Sequence, residues 1–276
     1  MGRLNKALER IKSREQGNNN PAAPEAAAGA AFLKADVGNG APLSDDPFAG
    51  KPALARLDAD VLGSGRIITA DTDPGVRTAY KMLRTRVLQA MRANGWRSLA
   101  VTSAAQGDGK TLTAINLAIS LAGDVNHHVC LVDLDLRHSS VASYLGMRPK
   151  NGISDCLQRK EPLKSVLLKT SIERLFVIPN VRTEDNTSEL LSSPGMNKIA
   201  QQLVHDPSRI VIYDMPPVLA ADDMLAFAPM TDAILLVVSE GKTLRTDLMK
   251  TYELLGNLNV IGTMLNRSDE KTVAYY

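Results

Sequence analysis

The segment AAQGDGKT, residues 104–111, has the residue types of a loop that binds phosphate. It follows an apolar run and precedes a helical pattern, so its backbone N–H groups and those of the first helical turn can point at anionic oxygens. Glycines leave the backbone free to wrap phosphate oxygens. Lys110 is placed to reach the β- and γ-phosphates, and Thr111 to bind Mg²⁺ through its hydroxyl group. The predicted nucleotide-binding residues of this segment are Gly107, Asp108, Gly109, Lys110, Thr111 and Leu112.

Three aspartates follow two other apolar runs, and their positions suit a metal-assisted reaction of a triphosphate. Asp133 and Asp135 end the run CLVDLD, and Asp214 ends the run RIVIYD. Residues two apart in a strand share a face, so Asp133 and Asp135 are expected to project together. Adjacent carboxylates repel unless a cation lies between them, and Mg²⁺ is the natural cation beside a triphosphate. These motifs predict nucleotide chemistry, and by themselves they leave kinases, GTPases and motor ATPases open.

Short runs rich in Val, Ile and Leu alternate with helical patterns over the rest of the chain. The runs are typical of strands that are buried on both faces, as in a parallel sheet. Alternation of this kind predicts a doubly wound α/β fold with a mostly parallel sheet and with ligands at the carboxyl ends of its strands. The predicted strands lie at 97–103, 128–135, 174–180, 209–217, 232–240 and 260–268, and the predicted helices at 73–95, 110–123, 193–206 and 243–258.

The chain of 276 residues divides into four predicted segments. Residues 1–15 place apolar side chains at helical spacing among Lys and Arg, which predicts a basic amphipathic helix. Residues 16–60 are rich in Pro, Gly, Ala and Asn, which predicts a flexible, disordered linker. Residues 61–270 hold the predicted α/β domain, and residues 271–276 form a tail with two tyrosines.

The composition bears on partners and location. The formal net charge is +2, which gives no reason to expect a nucleic acid as partner. No apolar run approaches the ~20 residues that span a bilayer, and the first residues lack the uninterrupted apolar core of a signal peptide. We therefore expect a cytoplasmic protein whose contact with a membrane depends on a partner or on a surface helix.

Five stretches of the chain occur together in a known family of enzymes. The loop at 103–111 is accompanied by VDLDLR at 132–137, NTSELLSS at 186–193, VIYDMPP at 211–217 and PPVLAADDML at 216–225. In this combination the chain resembles the bacterial tyrosine kinases (BY-kinases) of capsule and exopolysaccharide synthesis. These kinases are P-loop NTPases, related to the ATPases of chromosome partitioning and septum placement. Partitioning ATPases usually carry a second lysine near the start of the phosphate loop, where this chain has Ala105.

The resemblance implies an ATP-dependent protein-tyrosine kinase with defined site residues. Lys110 and Thr111 match the family residues that hold phosphate and Mg²⁺, and Asp135 and Asp214 match those that serve the metal. Asp133 matches the residue that orients or deprotonates the attacking tyrosine hydroxyl. Such roles suit phosphoryl transfer, which needs positioning and charge neutralisation. The implied catalytic residues are Asp133, Lys110 and Asp135, and the implied metal ligands are Thr111, Asp135 and Asp214.

The resemblance also implies phosphoacceptors and partners. Family members are phosphorylated in trans on a C-terminal tyrosine cluster, which here comprises Tyr275 and Tyr276. They work with a membrane-embedded chain-length regulator of polysaccharide synthesis (a polysaccharide co-polymerase), which would hold this chain at the inner face of the cell membrane. They also form homo-oligomers through a pattern E-x-x-R-x-x-R. Here Thr78, Lys81 and Arg84 stand at its three positions, so the salt bridge from the glutamate cannot form in the same way.

The segment NRSD, residues 266–269, bears on the choice between ATP and GTP. It approximates the N-K-x-D pattern by which GTPases recognise guanine. In the related ATPases an asparagine at this place contacts adenine, and Arg267 is not equivalent to the lysine of the guanine pattern. We therefore expect ATP with Mg²⁺, and Asn266 as a nucleotide-binding residue. Two rival functions remain open: a partitioning-type ATPase switch that transfers the phosphoryl group to water, and a nucleotide-bound scaffold in which turnover does not matter.

Overall fold

The structure, a computed structural model, describes residues 46–50 and 52–268. The predicted helix at 1–15, most of the predicted linker, and Tyr275 and Tyr276 lie outside the described residues. Within the described residues, the strands are β1 (Ala53–Ala55), β2 (Ser98–Ser103), β3 (His128–Asp133), β4 (Leu168–Thr170), β5 (Leu175–Ile178), β6 (Arg209–Asp214), β7 (Ala233–Ser239) and β8 (Val260–Asn266).

The helices begin after β1 and mostly alternate with the strands. None of them, within the part of the chain that the structure describes, is long and apolar enough to cross a membrane. They are α1 (Ala59–Ser64), α2 (Pro74–Asn94), α3 (Lys110–Ala122), α4 (Val141–Tyr144), α5 (Ile153–Arg159), α6 (Leu163–Val166), α7 (Thr187–Leu191), α8 (Pro194–Leu203), α9 (Asp223–Phe227) and α10 (Arg245–Leu255), with a 3₁₀ turn at Ala228–Met230.

The strands form one sheet in the order β1-β4-β5-β3-β6-β2-β7-β8. All neighbouring strands are parallel except β4 and β5, which run antiparallel. Alternate residues of β2 enter different apolar cores: Leu99 and Val101 pack in the core that includes residues of α2 and α3, and Ala100 in the core that includes residues of α8. The sheet is therefore covered on both faces, which confirms the predicted doubly wound α/β fold with a mostly parallel sheet.

The topology brings the carboxyl ends of three central strands together. β6 lies between β3 and β2, and Asp214 at the end of β6 is in register with Asp133 on β3 and with Val101 on β2. The phosphate loop leaves β2 at this edge and leads directly into α3. Because the chain passes from β2 to β3 and later returns to insert β6 between them, the crevice at this edge is where a doubly wound sheet binds its ligand.

Both edges of the sheet differ from the sequence prediction. β8 was expected to be buried on both faces, and this is wrong: Thr263 and Leu265 are exposed, because β8 is the last strand of the sheet. At the other edge, β1 and β4 are not predicted by the sequence. Each has only three residues, too few to show a strand pattern.

The predicted linker at 16–60 also extends too far along the chain. Within it, Ala53–Ala55 pair with Leu168–Thr170 as parallel strands. Phe48 packs edge-to-face against Phe176, with ring centroids 5.1 Å apart. Composition alone predicts a linker here, because Pro, Gly, Ala and Asn are abundant in the segment. Tertiary contacts with the domain override that local preference.

Candidate active site

The phosphate loop joins β2 to α3 and is shaped by two glycines. Gly107 has a φ of 80° and Gly109 a φ of 95°, conformations that residues with a Cβ rarely adopt. Gly109 immediately precedes the first turn of α3, which Lys110 begins. The side chain of Asp108 is fully buried, and its Oδ2 accepts a hydrogen bond of 3.1 Å from the N–H of Ala105. The loop therefore has a defined shape, and its binding of phosphate stays a prediction.

Lys110 lies among carboxylates from the two strands beside the loop. Its Nζ is 2.7 Å from Oδ2 of Asp135 and 3.5 Å from Oδ1 of Asp214. The hydroxyl group of Thr111 donates a 2.7 Å hydrogen bond to Oδ2 of Asp214. All four side chains are buried. The structure thus brings the loop's lysine and threonine together with two of the three predicted aspartates.

Asp133 is held rigidly at the end of β3. Its Oδ2 accepts hydrogen bonds of 3.1 Å from the N–H groups of both Ser140 and Val141, at the start of α4. Its Oδ1 accepts one longer bond of 3.3 Å from the N–H of Asp135. Three backbone donors on one carboxylate fix its orientation toward the charged cluster.

The site contains more negative than positive charge, and this shifts its pKa values. Burial raises the pKa of Asp133 well above its ordinary value, and the charge of Asp214 raises it further. Burial also raises the pKa of Asp214, although the charge of Lys110 opposes the change. Burial works to lower the pKa of Lys110, but the charges of Asp214 and Asp135 outweigh it, and the pKa is raised. The lysine is therefore a permanent cation, and the carboxylates lack a full set of counter-charges.

The chemistry of Thr111 and Asp214 fits Mg²⁺. The hydroxyl oxygen of Thr111 and the carboxylate of Asp214 are adjacent oxygen donors, and Oδ1 of Asp214 is buried without a hydrogen-bond partner. The described residues contain no group of three or more His, Cys, Asp or Glu side chains arranged to hold a metal ion. Mg²⁺ needs no such cage, because in nucleotide sites it is bound by one or two protein ligands, phosphate oxygens and water.

Two other predicted nucleotide-binding residues take different positions. The side chain of Leu112 packs against the apolar core, so only its backbone is available to the loop. The Nδ2 of Asn266 donates a 2.9 Å hydrogen bond to the carbonyl oxygen of Asp108. Asn266 thus touches the phosphate loop, and its contact with adenine stays a prediction.

Several contacts at the site are not predicted by the sequence. The Oγ of Ser140 lies 3.4 Å from Oγ1 of Thr111. Lys242 and Arg267 contact the phosphate loop from sequence distances of 136 and 160 residues. A local pattern cannot show such contacts, because they depend on how β7 and β8 are placed beside β2.

The fully buried Asp223 lies in one of the stretches that carry the family resemblance. Its Oδ1 accepts a 2.7 Å hydrogen bond from the hydroxyl group of Thr187, and its Oδ2 is 3.7 Å from Nε of Arg137. Burial raises its pKa, against the hydrogen bond from Thr187. These contacts bring three separated motifs together in the fold: Arg137 follows β3, Thr187 begins α7, and Asp223 begins α9.

Comparisons with known proteins identify relatives of this chain. A family model described as "ParA: NUBPL iron-transfer P-loop NTPase" matches residues 96–269. The chain is 30% identical over 207 residues to the tyrosine-protein kinase YwqD of Bacillus subtilis (strain 168), covering 73% of this chain and 86% of that protein. It is 32% identical over 175 residues to the tyrosine-protein kinase CpsD of Streptococcus pneumoniae serotype 4, covering 62% and 76%. The putative tyrosine-protein kinase EpsB of Ralstonia solanacearum is 29% identical over 205 residues, which are 74% of this chain but 27% of EpsB.

Solved structures share the fold. The kinase domain of the Escherichia coli tyrosine kinase ETK superposes with a TM-score of 0.66 at 23% identity, covering 87% of this chain and 99% of that domain. The BceF tyrosine kinase domain gives 0.65 at 25% identity, covering 77% and 91%. The septum site-determining protein MinD of Pyrococcus horikoshii, solved with Mg-ADP, gives 0.53 at 22% identity, covering 63% and 72%. The fold is therefore that of P-loop kinases and of MinD-like ATPases.

Proposed function

Because the chain belongs to the bacterial tyrosine kinases, within the ParA-type P-loop NTPases, we propose that it is an ATP-dependent autokinase that phosphorylates its own tyrosines Tyr275 and Tyr276. The observation that carries this proposal is the convergence of Lys110 and three carboxylates beside the phosphate loop. Such an arrangement can hold a triphosphate, neutralise it and remove a proton from an acceptor.

The phosphate side of the site belongs to Lys110 and Thr111. The backbone of the loop and the first turn of α3 bind the phosphate oxygens, and Lys110 turns from Asp135 toward the β- and γ-phosphates. Thr111, Asp214 and Asp135 would hold Mg²⁺ directly or through water, and the bound ion would supply positive charge to neutralise the triphosphate. Lys110 already lies between Asp135 and Asp214. When the nucleotide enters, Lys110 would exchange these carboxylates for phosphate oxygens, and the carboxylates would exchange Lys110 for Mg²⁺.

Asp133 is the proposed proton acceptor. Its raised pKa makes it a stronger base than an ordinary aspartate, which suits general base catalysis. The tyrosine proton passes to Oδ1, which carries a single long hydrogen bond, while two bonds to Oδ2 keep the group oriented. The phenolic oxygen then forms its bond to the γ-phosphorus as the bond to the β-phosphate oxygen breaks, and ADP leaves with the electron pair.

The resemblance supports a biological setting for this activity. We propose that the kinase acts in capsule or exopolysaccharide polymerisation and export. It would do so at the inner face of the cell membrane, together with a membrane-embedded chain-length regulator. We also propose that it associates with further copies of itself, since phosphorylation in trans requires one copy to present its tail to another. Relatives named as tyrosine-protein kinases support the chemistry on which this setting depends.

The proposal is tested by following the γ-phosphoryl group of labelled Mg-ATP. We expect label on tyrosine of the protein, and a loss of about 10²-fold or more in the labelling rate for Asp133→Asn, because a general base contributes on that order. Lys110→Met should abolish labelling. Label that appears only as free phosphate, with none on tyrosine, would contradict the kinase and establish the ATPase switch. If polysaccharide export in cells survives Asp133→Asn, that result would favour the nucleotide-bound scaffold.

A further inference from the structure

Three consecutive carbonyl groups of the phosphate loop are each bound by a side chain from the C-terminal third of the chain. The Nζ of Lys242 donates a 2.7 Å hydrogen bond to the carbonyl oxygen of Gln106. The Nη2 of Arg267 donates a 3.0 Å bond to the carbonyl oxygen of Gly107. The Nδ2 of Asn266 donates a 2.9 Å bond to the carbonyl oxygen of Asp108. We refer to Lys242, Asn266 and Arg267 as the loop clamp.

The loop clamp determines which way the loop's N–H groups point. The described residues contain no cis peptide bond, and in a planar trans peptide the C=O of one residue and the N–H of the next point in opposite directions. Holding the carbonyl groups of residues 106–108 toward β7 and β8 therefore turns the N–H groups of residues 107–109 away from those strands. That orientation of successive N–H groups is what an anion-binding concavity requires.

The backbone on both sides of these contacts is adapted to them. A Cβ at Gly107 would overlap Nζ of Lys242, and a Cβ at Gly109 would overlap Nδ2 of Asn266. Adjacent residues of a strand normally point to opposite faces. Arg267 has a φ of 60°, in the left-handed region, which lets its side chain reach the same loop as its neighbour Asn266. Its own N–H donates to Oδ1 of Asn266, at 2.9 Å, and fixes that amide.

We propose that the loop clamp is a set of positioning residues that shapes the phosphate loop before the nucleotide arrives. A loop whose N–H groups already point at the phosphates loses less conformational freedom on binding, so affinity rises. The ammonium group of Lys242 and the guanidinium group of Arg267 also add positive potential beside a polyphosphate. The inference deepens the proposed function, because it rests on the nucleotide site at this loop.

Nucleotide affinity gives the first test, with ADP as the probe and calorimetry as the measurement. Lys242→Met and Arg267→Met each keep an unbranched chain and remove the charged donor. We expect each to weaken ADP binding about fivefold to tenfold, the net effect of losing one typical hydrogen bond. Lys250→Met is the matched control, because Lys250 is an exposed cation on α10 outside the clamp. The affinity of this variant for ADP should equal that of the wild type. Tighter binding of ADP by the clamp variants would overturn the proposal, since it would mean that the clamp holds the loop in a shape that opposes nucleotide binding.

Amide hydrogen exchange of the nucleotide-free protein separates the clamp from a simple effect of charge. If the clamp orders the loop, the amides of residues 107–109 exchange faster in Lys242→Met and Arg267→Met than in the wild type or in Lys250→Met. Unchanged exchange would overturn the positioning role even if affinity falls. This measurement needs no bound nucleotide, so it tests the clamp even if the wild type binds no ADP, an outcome that would instead contradict the proposed function.

Discussion

At the phosphate loop, three carboxylates, those of Asp133, Asp135 and Asp214, face one ammonium group, that of Lys110, which contacts Asp135 and Asp214. Burial prevents water from compensating for this imbalance, which is why the pKa values of Asp133 and Asp214 are raised. Without a ligand, this unbalanced buried charge lowers the stability of the folded state. When a nucleotide is bound, the same excess of negative charge would favour the binding of Mg²⁺.

We expect Asp214→Asn to stabilise the protein when nucleotide and metal are absent. The pKa of Asp214 is raised, so between its unfolded and folded values the folded state binds more protons, and this carboxylate's contribution to stability falls as the pH rises through that window. Asparagine removes the charge and keeps a carbonyl oxygen for the Thr111 hydroxyl. Calorimetry near neutral pH should show a Tm higher by about 2–4 °C, the shift that ~1 kcal/mol gives in a domain of this size.

The gain from Asp214→Asn should shrink as the pH falls toward the ordinary pKa of an aspartate, ~3.9, because the raised pKa of Asp214 makes the folded wild type bind this proton before the unfolded chain does. Asp206→Asn is the matched control of opposite sign. Burial works to raise the pKa of Asp206, but hydrogen bonds from Ser208 outweigh it and lower the pKa, so this substitution should lower the Tm. A lower Tm for Asp214→Asn near neutral pH would show instead that pairing with Lys110 outweighs burial.

The sequence predicts the site residues that belong to a short continuous motif, and those that come together because the carboxyl ends of parallel strands meet at one edge of the sheet. Lys110 and Thr111 sit in a local motif, and Asp133 and Asp214 come together because the ends of parallel strands meet at one edge. The sequence does not predict Lys242 as a site residue, because its contact with Gln106 depends on the position of the turn after β7. Its flanking residues carry no pattern that marks them as part of a site.

At the scale of elements, the segment before the predicted domain is anchored to the amino end of β6. The guanidinium carbon of Arg209 lies 3.5 Å from the centroid of the Phe48 ring. Arg209 is 2% exposed, and its Nη2 is 3.3 Å from Oδ2 of Asp46. A buried arginine needs such partners, since an unpaired buried charge is costly. The segment at 46–50 thus covers this charge and adds the carboxylate of Asp46 to that of Asp206, which lies 3.6 Å from the same nitrogen.

Phe48→Ala is therefore expected to destabilise the domain by ~2 kcal/mol, measured by urea denaturation. The substitution removes an edge-to-face contact with Phe176 and a cation–π contact with Arg209. Leu54→Ala, a few residues further along in β1, is the matched control: Leu54 is 63% exposed, and its loss should cost no more than ~0.5 kcal/mol. Equal effects of the two substitutions would contradict an ordered anchor at Phe48.

Element prediction succeeds where strands are long and central and fails at the edges. β2, β3 and β6 have six residues each and are almost wholly buried, so their apolar runs are continuous. β1 and β4 have three residues each, and their pairing is set by tertiary context. β8 is apolar enough to suggest a central strand, and only the topology shows it at an edge.

For the whole molecule, the sheet order explains how distant motifs become one site. With β6 between β3 and β2, and β7 and β8 on the far side of β2, the phosphate loop lies between the carboxylates and the loop clamp. In the proposed mechanism the carboxylates face the phosphates and the acceptor, and the clamp holds the opposite side of the loop. The same fold serves MinD-like ATPases, so the acceptor, rather than the fold, distinguishes a kinase from an ATPase switch.

The most direct test of the account is intact-mass spectrometry of the purified protein before and after incubation with Mg-ATP. The Tyr275→Phe/Tyr276→Phe double variant, which leaves the phosphate loop and the three aspartates unchanged, serves as the comparison. The account predicts a mass gain of one or two phosphoryl groups in the wild type and none in the double variant. No gain in the wild type, with ATP still hydrolysed, would contradict the account, because the γ-phosphoryl group would then pass to water.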